Sequence, residues 1–196
     1  MLPLLLASSS VYRRDLLSRL RLPFTCSSPD IDESHRPGES ALELVQRLSL
    51  EKAQALAASH PAHLIIGSDQ VAVLNDQIIG KPHTFDKARQ QLLNASGASV
   101  SFLTGLTLLN SQTGHHQTDC VPFTVHMRHL SAEQIERYLH AEEPYDCAGS
   151  FKAEGLGVSL FQRTEGDDAT SLVGLPLIRL VDICLLYTSD AADEGL

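Results

Sequence analysis

The chain has no tryptophan, and aromatic residues make up only 5% of its 196 positions. Its core must therefore be built from aliphatic side chains. Positive charge is also scarce: 15 Lys and Arg stand against 24 Asp and Glu, a net charge of −9. That balance argues against a non-specific nucleic-acid binder. No apolar run approaches the roughly 20 residues that a membrane span needs. The opening Met1-Leu2-Pro3-Leu4-Leu5-Leu6 is too short for a signal peptide and lacks its basic leader. The four cysteines, at 26, 120, 147 and 184, lack C-x-x-C spacing. They read as free thiols in a reducing cytoplasm. There is neither an internal repeat nor a long linker, and the length suits one compact α/β domain or two small lobes.

What is present reads as strands alternating with helices. Leu4–Ala7 is strand-like and leads into a helix at about 11–20, followed by a short strand at 24–27. Ser40 and Glu43 form an S-x-x-E capping box, and Ser131 with Gln134 forms a second one, so helices are expected to about 59 and to about 140. Residues 63–74 look like a strand interrupted at Gly67-Ser68-Asp69, and Asn75-Asp76 reads as a hairpin turn into 77–79. A helix at about 85–94 precedes two long strand-rich stretches, 98–109 and 116–128, and 172–186 looks helical despite Gly174 and Pro176. Several strands are joined by short turns, which implies a mixed α/β sheet with flanking helices. The domain is read as residues 1–184. The last dozen residues, LLYTSDAADEGL (185–196), shift abruptly to small and acidic types and read as an atypical tail, in the manner of translated adapter sequence.

Several residues break the local pattern. In SSSVYRR (8–14), Arg13 and Arg14 fall near the first turn of a helix, where the macrodipole already disfavours cations. On the helix from Ala41, residues Ala41, Val45, Leu48 and Leu56 share one stripe, and Lys52 points into its middle. Either its stem snorkels past the helix end, or its ammonium reaches a bound anion. Extending the hairpin register from Leu74 and Gln77 sets Gln70 opposite Lys81, so that Asp69 and Lys81 meet at one end. The bland alternative is an exposed cross-strand ion pair worth roughly 0–1 kcal/mol. Asp30, Asp32 and Glu33 form either a solvated loop or a hard-cation site, since Mg²⁺ typically combines one or two carboxylates with substrate phosphates. His126 and His129, three apart on a strand, point to opposite faces, so no structural zinc is expected. Together, a Ser-rich strand-to-helix turn, four cations (Arg13, Arg14, Lys52 and Lys81) and two acids (Glu33 and Asp69) suit a polyphosphate bridged by a divalent cation.

The ordered segments LLLASSSVYRRDLL, PDIDE, EKA, IIGSDQ, GKP, CAGSFKAEG and LVGLP resemble the Maf family of nucleotide pyrophosphatases from about Leu4 to Ile178. The resemblance implies an α/β fold related to the inosine-triphosphate pyrophosphatases, with a cleft between two lobes. It also implies cleavage of a nucleoside triphosphate to monophosphate and pyrophosphate with Mg²⁺ or Mn²⁺. By motif, Ser8, Arg13, Arg14 and Lys152 would bind phosphates. Asp69 would be the proton acceptor and share the metal with Glu33, and Lys52 and Lys81 would neutralise developing charge. Tyr12, Gln70 and Glu154 occupy the positions that separate subfamilies, and look like the branch acting on 7-methyl-GTP. An aromatic face attracts the cationic methylated base by about 0.5–2 kcal/mol, and a carboxylate can accept from the guanine N1–H and amine. Without the resemblance, Tyr12 reads as a helix residue and Glu154 as a surface charge. Alternatives are a dTTP/UTP pyrophosphatase and, in another class, a nucleotide-binding regulator of septum formation. The family often dimerises, so a homodimer is expected; neither a membrane nor a nucleic-acid partner is.

Overall fold

The structure is a computed structural model and describes residues 2–193, with side chains to Leu185. Of the atypical tail, read as residues 185–196, the backbone is described to Asp193 and side chains at Leu185 alone; the rest lies outside the described residues. In chain order the elements are β1 (Leu4–Ala7), α1 (Val11–Ser18), β2 (Phe24–Ser27), α2 (Ala41–Ala57), β3 (Leu64–Leu74) and β4 (Gln77–Ile79). Next come α3 (Phe85–Ala95), β5 (Ser99–Asn110), β6 (His116–Met127) and α4 (Ala132–Glu142). Two 3-10 turns, Ala148–Ser150 and Leu156–Leu160, precede β7 (Phe161–Glu165), α5 (Ala169–Val173) and α6 (Leu177–Asp193). Among the described residues, no helix is long and apolar enough to cross a membrane.

The strands make one mixed sheet in the order β2-β1-β3-β5-β6-β7, with β4 paired to β3. β1 runs parallel to β2 and β3, while β3, β5, β6 and β7 pair antiparallel in succession. Helices cover both faces around β1, which explains its unbroken apolar run. Leu5 and Ala7 pack with Ala53 and Leu56 of α2. Leu6, one residue out of phase, packs with Leu16 and Leu17 of α1 and Leu180 and Ile183 of α6. A second core lies further along the sheet, where Phe102, Phe123 and Val125 meet Leu92 of α3 and Ile135 and Leu139 of α4.

Local chemistry sets the element ends. Both capping boxes form reciprocally, at Ser40/Glu43 and at Ser131/Gln134. Asn75 and Asp76 both take left-handed backbone, φ 50° and 61°, as a two-residue hairpin turn of type I′ demands. Two sequence expectations are corrected. β3 runs without a break through Gly67-Ser68-Asp69, because β5 pairs with it along its length. The segment 172–186 is two helices, not one: α5 ends at Val173 and α6 starts at Leu177, with Gly174 and Pro176 between.

Gly67 is needed for close approach, not for turning. A Cβ there would run into the carbonyl oxygen of Ser49, and one at Gly105 would run into that of Val45. Helix α2 therefore lies directly on the β3–β5 ladder. That contact brings Lys52, one turn beyond Ser49, onto the sheet beside Asp69.

Candidate active site

A cleft of about 590 Å³ opens at the end of β1 and runs along β3. Its walls include Ser8, Tyr12 and Arg13 from the β1–α1 turn, Glu33 from the acidic loop and Lys52 from α2. Asp69 and Gln70 of β3, Lys81, Asp146, and Cys147 and Glu154 from the Gly-rich segment also line it.

At its centre is an ion triad, a buried Lys52–Asp69 pair joined from the solvent side by exposed Glu33. The Lys52 Nζ donates to Asp69 Oδ1 at 2.6 Å and lies 3.0 Å from Glu33 Oε1. Lys52 is 6% exposed and Asp69 7%, so this lysine does not snorkel. Its stem fills the apolar stripe of α2, and its charge is neutralised at the sheet surface by a carboxylate of β3. Burial at that depth makes each charge costly unless paired, and each is paired. Asp69 thus meets Lys52, not Lys81 as the hairpin register suggested. The β3–β4 ladder stops at Ala72↔Ile79, so Gln70 and Lys81 never pair, and exposed Lys81 stands on the cleft wall instead.

Glu33 reaches Lys52 because the acidic loop is strapped to α2. Arg47 donates to the Ser34 carbonyl at 3.0 Å and binds Glu39 and Glu51, and these carboxylates raise its pKa. Only Glu33 of the three loop acids lines the cleft, while Asp30 and Asp32 face solvent. Arg47 is the hub of this strap. Its opposite-charge neighbour Glu51 at i+4 is a visible signal, but the reach back to Glu39 and Ser34 is not.

The α1 end of the cleft presents hydroxyls and amides. Ser10 caps the helix, accepting from the Arg13 N–H, and buried Ser8 accepts from the Ser10 N–H at 3.1 Å. The Arg13 Nε donates to the carbonyl of Gly174 at 2.8 Å. Burial lowers the pKa of its guanidinium, and the charges of Asp69 and Glu33 oppose that drop. Arg14 does not join it. Exposed, off the cleft lining, it pairs with Asp15 at 3.5 Å.

Beyond the triad lies an aromatic corner. Tyr12 is hydrogen-bonded to the thiol of Cys147, and burial and that thiol raise the pKa of its phenol. The Lys152 Nζ sits 5.7 Å from the Tyr12 ring centroid and 3.6 Å from Glu142 Oε1. Lys152 therefore touches the cleft through Tyr12 and is not itself part of the lining. Gln70 is turned to a different task from that of Tyr12 and Glu154. Its Nε2 donates to the carbonyl of Ser171 at 2.7 Å and to Thr104 Oγ1 at 2.9 Å, which anchors the segment carrying Leu172 and Val173 over the cleft. Ser68 supports the same segment from below, donating to the Gly174 carbonyl at 3.0 Å. Asp168 holds it from the far side, accepting from the Thr170 and Ile178 N–H groups at 2.9 and 2.8 Å. Sequence reading missed Thr104, Ser171 and Asp168; of these only Asp168, an Asp two residues before a Thr at a helix start, carries a capping signal.

Two carboxylates converging on one ammonium are the hard oxygen donors that Mg²⁺ or Mn²⁺ uses together with substrate phosphates. Among the described residues, no group of three or more His, Cys, Asp or Glu is placed to hold a metal ion. Glu33 and Asp69 therefore fit a metal as a partial donor pair completed by substrate, and do not form an all-protein cage.

A family model described as Maf-like protein matches residues 3–185. The chain is 83% identical over 185 residues to a 7-methyl-GTP pyrophosphatase of Pseudomonas fluorescens strain Pf-5, covering 94% of this chain and 96% of the relative. It is 76% identical over 182 residues to the protein of that name from Pseudomonas savastanoi pv. phaseolicola, covering 93% and 95%. A solved HAM1 protein from Coxiella burnetii is similar over 65% of this chain and 73% of that one, with a TM-score of 0.47 and 20% identity. With the family model spanning nearly the whole described chain, and the Ser8–Arg13, Lys52, Asp69 and Lys81 motifs on the walls of one cleft, this chain belongs to the Maf family.

Proposed function

We propose that the chain is a nucleoside triphosphate pyrophosphatase that hydrolyses 7-methyl-GTP to 7-methyl-GMP and pyrophosphate. The observation that carries this reading is the Lys52 clamp between Asp69 and Glu33 in a cleft that Tyr12 and Glu154 also line. The charged residues suit phosphate chemistry and the Tyr12–Glu154 pair a base, and the names of the relatives point to the same substrate.

In this mechanism the triphosphate lies along Ser8, the first turn of α1 and Arg13, with Lys81 on the opposite wall. Water attacks the α-phosphorus, the bond to the β-phosphate bridging oxygen breaks, and pyrophosphate leaves. Asp69 accepts the proton of that water. Lys52 fixes Asp69 through Oδ1, leaving Oδ2 as the oxygen to take that proton. The cations stabilise charge on the departing pyrophosphate in a setting that needs little reorganisation. Glu33 and Asp69 are the residues that would hold a divalent ion, whose chemistry is to polarise phosphoryl oxygens. Tyr12 offers a face to the methylated base, and Glu154 accepts from its N1–H and exocyclic amine. The four cysteines are all free, in keeping with a cytoplasmic enzyme, and a homodimer is part of the same reading.

A substrate panel tests this. With Mn²⁺ present, 7-methyl-GTP, GTP, UTP and dTTP are incubated with the protein, and monophosphate and pyrophosphate are resolved by chromatography. The expected result is kcat/KM highest for 7-methyl-GTP. A preference for UTP or dTTP refutes the substrate, and tight binding with no pyrophosphate release refutes the enzyme.

A further inference from the structure

The base end of the cleft depends on a residue that does not touch it. Glu142 is the last residue of α4, and its side chain is 15% exposed. Its Oε2 accepts from the Leu156 N–H at 2.6 Å, and its Oε1 lies 3.6 Å from the Lys152 ammonium. One turn earlier on the same helix, the Tyr138 hydroxyl accepts from the Lys152 N–H at 3.0 Å. The last turn of α4 thus grips both ends of the segment 152–156, and Glu154 lies between the grips. Gly155 marks how tightly the segment wraps: a Cβ there would sit 2.7 to 2.9 Å from the Glu142 carboxylate.

The charges add a second consequence. Lys152 stands against the Tyr12 ring, where an unpaired ammonium would repel a cationic base. Glu142 neutralises it from the side away from the cleft. We infer that Glu142 is a positioning residue for base recognition: it holds Glu154 in place and cancels the charge of Lys152, so that a positively charged purine is accepted. This inference rests on the proposed 7-methyl-GTP reading and assigns that selectivity to a residue outside the cleft.

Two readouts on Glu142→Ala and Glu142→Gln separate the ideas. The first is amide hydrogen exchange of residues 152–156, which needs no substrate. Glu142→Ala is expected to raise exchange at Leu156 by about tenfold or more, the scale of a lost hydrogen bond to a charged acceptor, while the interior of α4 stays protected. Glu142→Gln keeps an acceptor oxygen and is expected to restore protection. The second is the ratio of kcat/KM for 7-methyl-GTP to that for GTP, which differ by the methyl group and its charge. Both variants lose the charge, so both are expected to lower the ratio by about fivefold to tenfold through KM, with kcat on GTP retained. Unchanged exchange in Glu142→Ala overturns the grip, and an unchanged ratio in both variants overturns the role in selectivity. A wild-type protein with no preference for 7-methyl-GTP refutes the proposed substrate instead, and the exchange experiment still decides the grip.

Discussion

Replacing Lys52 by methionine tests the central triad through stability as well as activity. Methionine fills much of the same apolar channel but leaves Asp69, 7% exposed and 2.6 Å from the missing ammonium, with a buried uncompensated carboxylate. Removing one partner of a buried pair costs about 3–5 kcal/mol, and the lower end applies because Arg13 still contributes positive charge nearby. The reverse change, Asp69→Asn, is milder, since Lys52 keeps Glu33 at 3.0 Å; about 1–2 kcal/mol is expected. The double variant removes both charges, so it should be more stable than the two single losses predict by at least about 1.5 kcal/mol. Urea denaturation of the four proteins measures the cycle, and pyrophosphate release measures function separately. Every variant is expected to lose activity by about a hundredfold or more, including the double variant that regains stability. A Lys52→Met loss below about 1 kcal/mol, or additivity within about 0.5 kcal/mol, would refute the claim that Lys52 and Asp69 are a coupled buried pair.

Three further predictions follow from other contacts. Tyr12→Ala is expected to lower kcat/KM for 7-methyl-GTP by about 3- to 30-fold, with a smaller effect on UTP, matching the range of an aromatic–cation contact; equal losses on both substrates sink the stacking idea. Gly67→Ala pushes α2 off the sheet at Ser49, so melting temperature and activity should fall together, with an overpacking cost of about 1–3 kcal/mol. A variant with normal thermal stability would show that the approach is not tight. Arg47, first through its hydrogen bond, depresses Glu39 from an ordinary 4.5 to about 2, so this pair stabilises the fold fully above pH 4.5 and loses its effect as pH falls toward 2. The gap in urea midpoint between wild type and Glu39→Gln should therefore be present at pH 6 and vanish by about pH 2; a gap that persists or widens in acid has the wrong sign.

Much of the fold is legible because its signals are local. Ser40 with Glu43 and Ser131 with Gln134 announce helix starts, since capping requires only a hydroxyl and a partner three residues on. Asn75-Asp76 announces a hairpin because few other residues tolerate two left-handed positions in a row. β3 is where this logic fails. Gly67-Ser68-Asp69 has poor intrinsic strand preference, yet it stays extended because β5 hydrogen-bonds to it and α2 needs a residue without a side chain at Gly67. Tertiary packing overrides propensity there, and the override is what makes the site.

The site shows the same division. Lys52 is visible in the sequence as a charge on the wrong face of a helix, and the structure supplies the acids that make that face right. The choice between Arg13 and Arg14 could have been made from helix geometry alone: consecutive residues diverge by about 100°, so one of two adjacent cations faces the cleft and the other faces solvent. What no local pattern reveals is the support behind these residues. Arg13 is held by the carbonyl of Gly174, 161 positions away, and Gln70 by that of Ser171, 101 positions away. A backbone carbonyl as acceptor puts no constraint on residue type at its own position, so such a partner leaves no trace in composition or spacing. Motif position marks Gln70 as a residue of interest but does not show that its amide nitrogen is spent holding α5. Gln70 thereby shapes the cleft wall at one remove, through the placement of Leu172 and Val173.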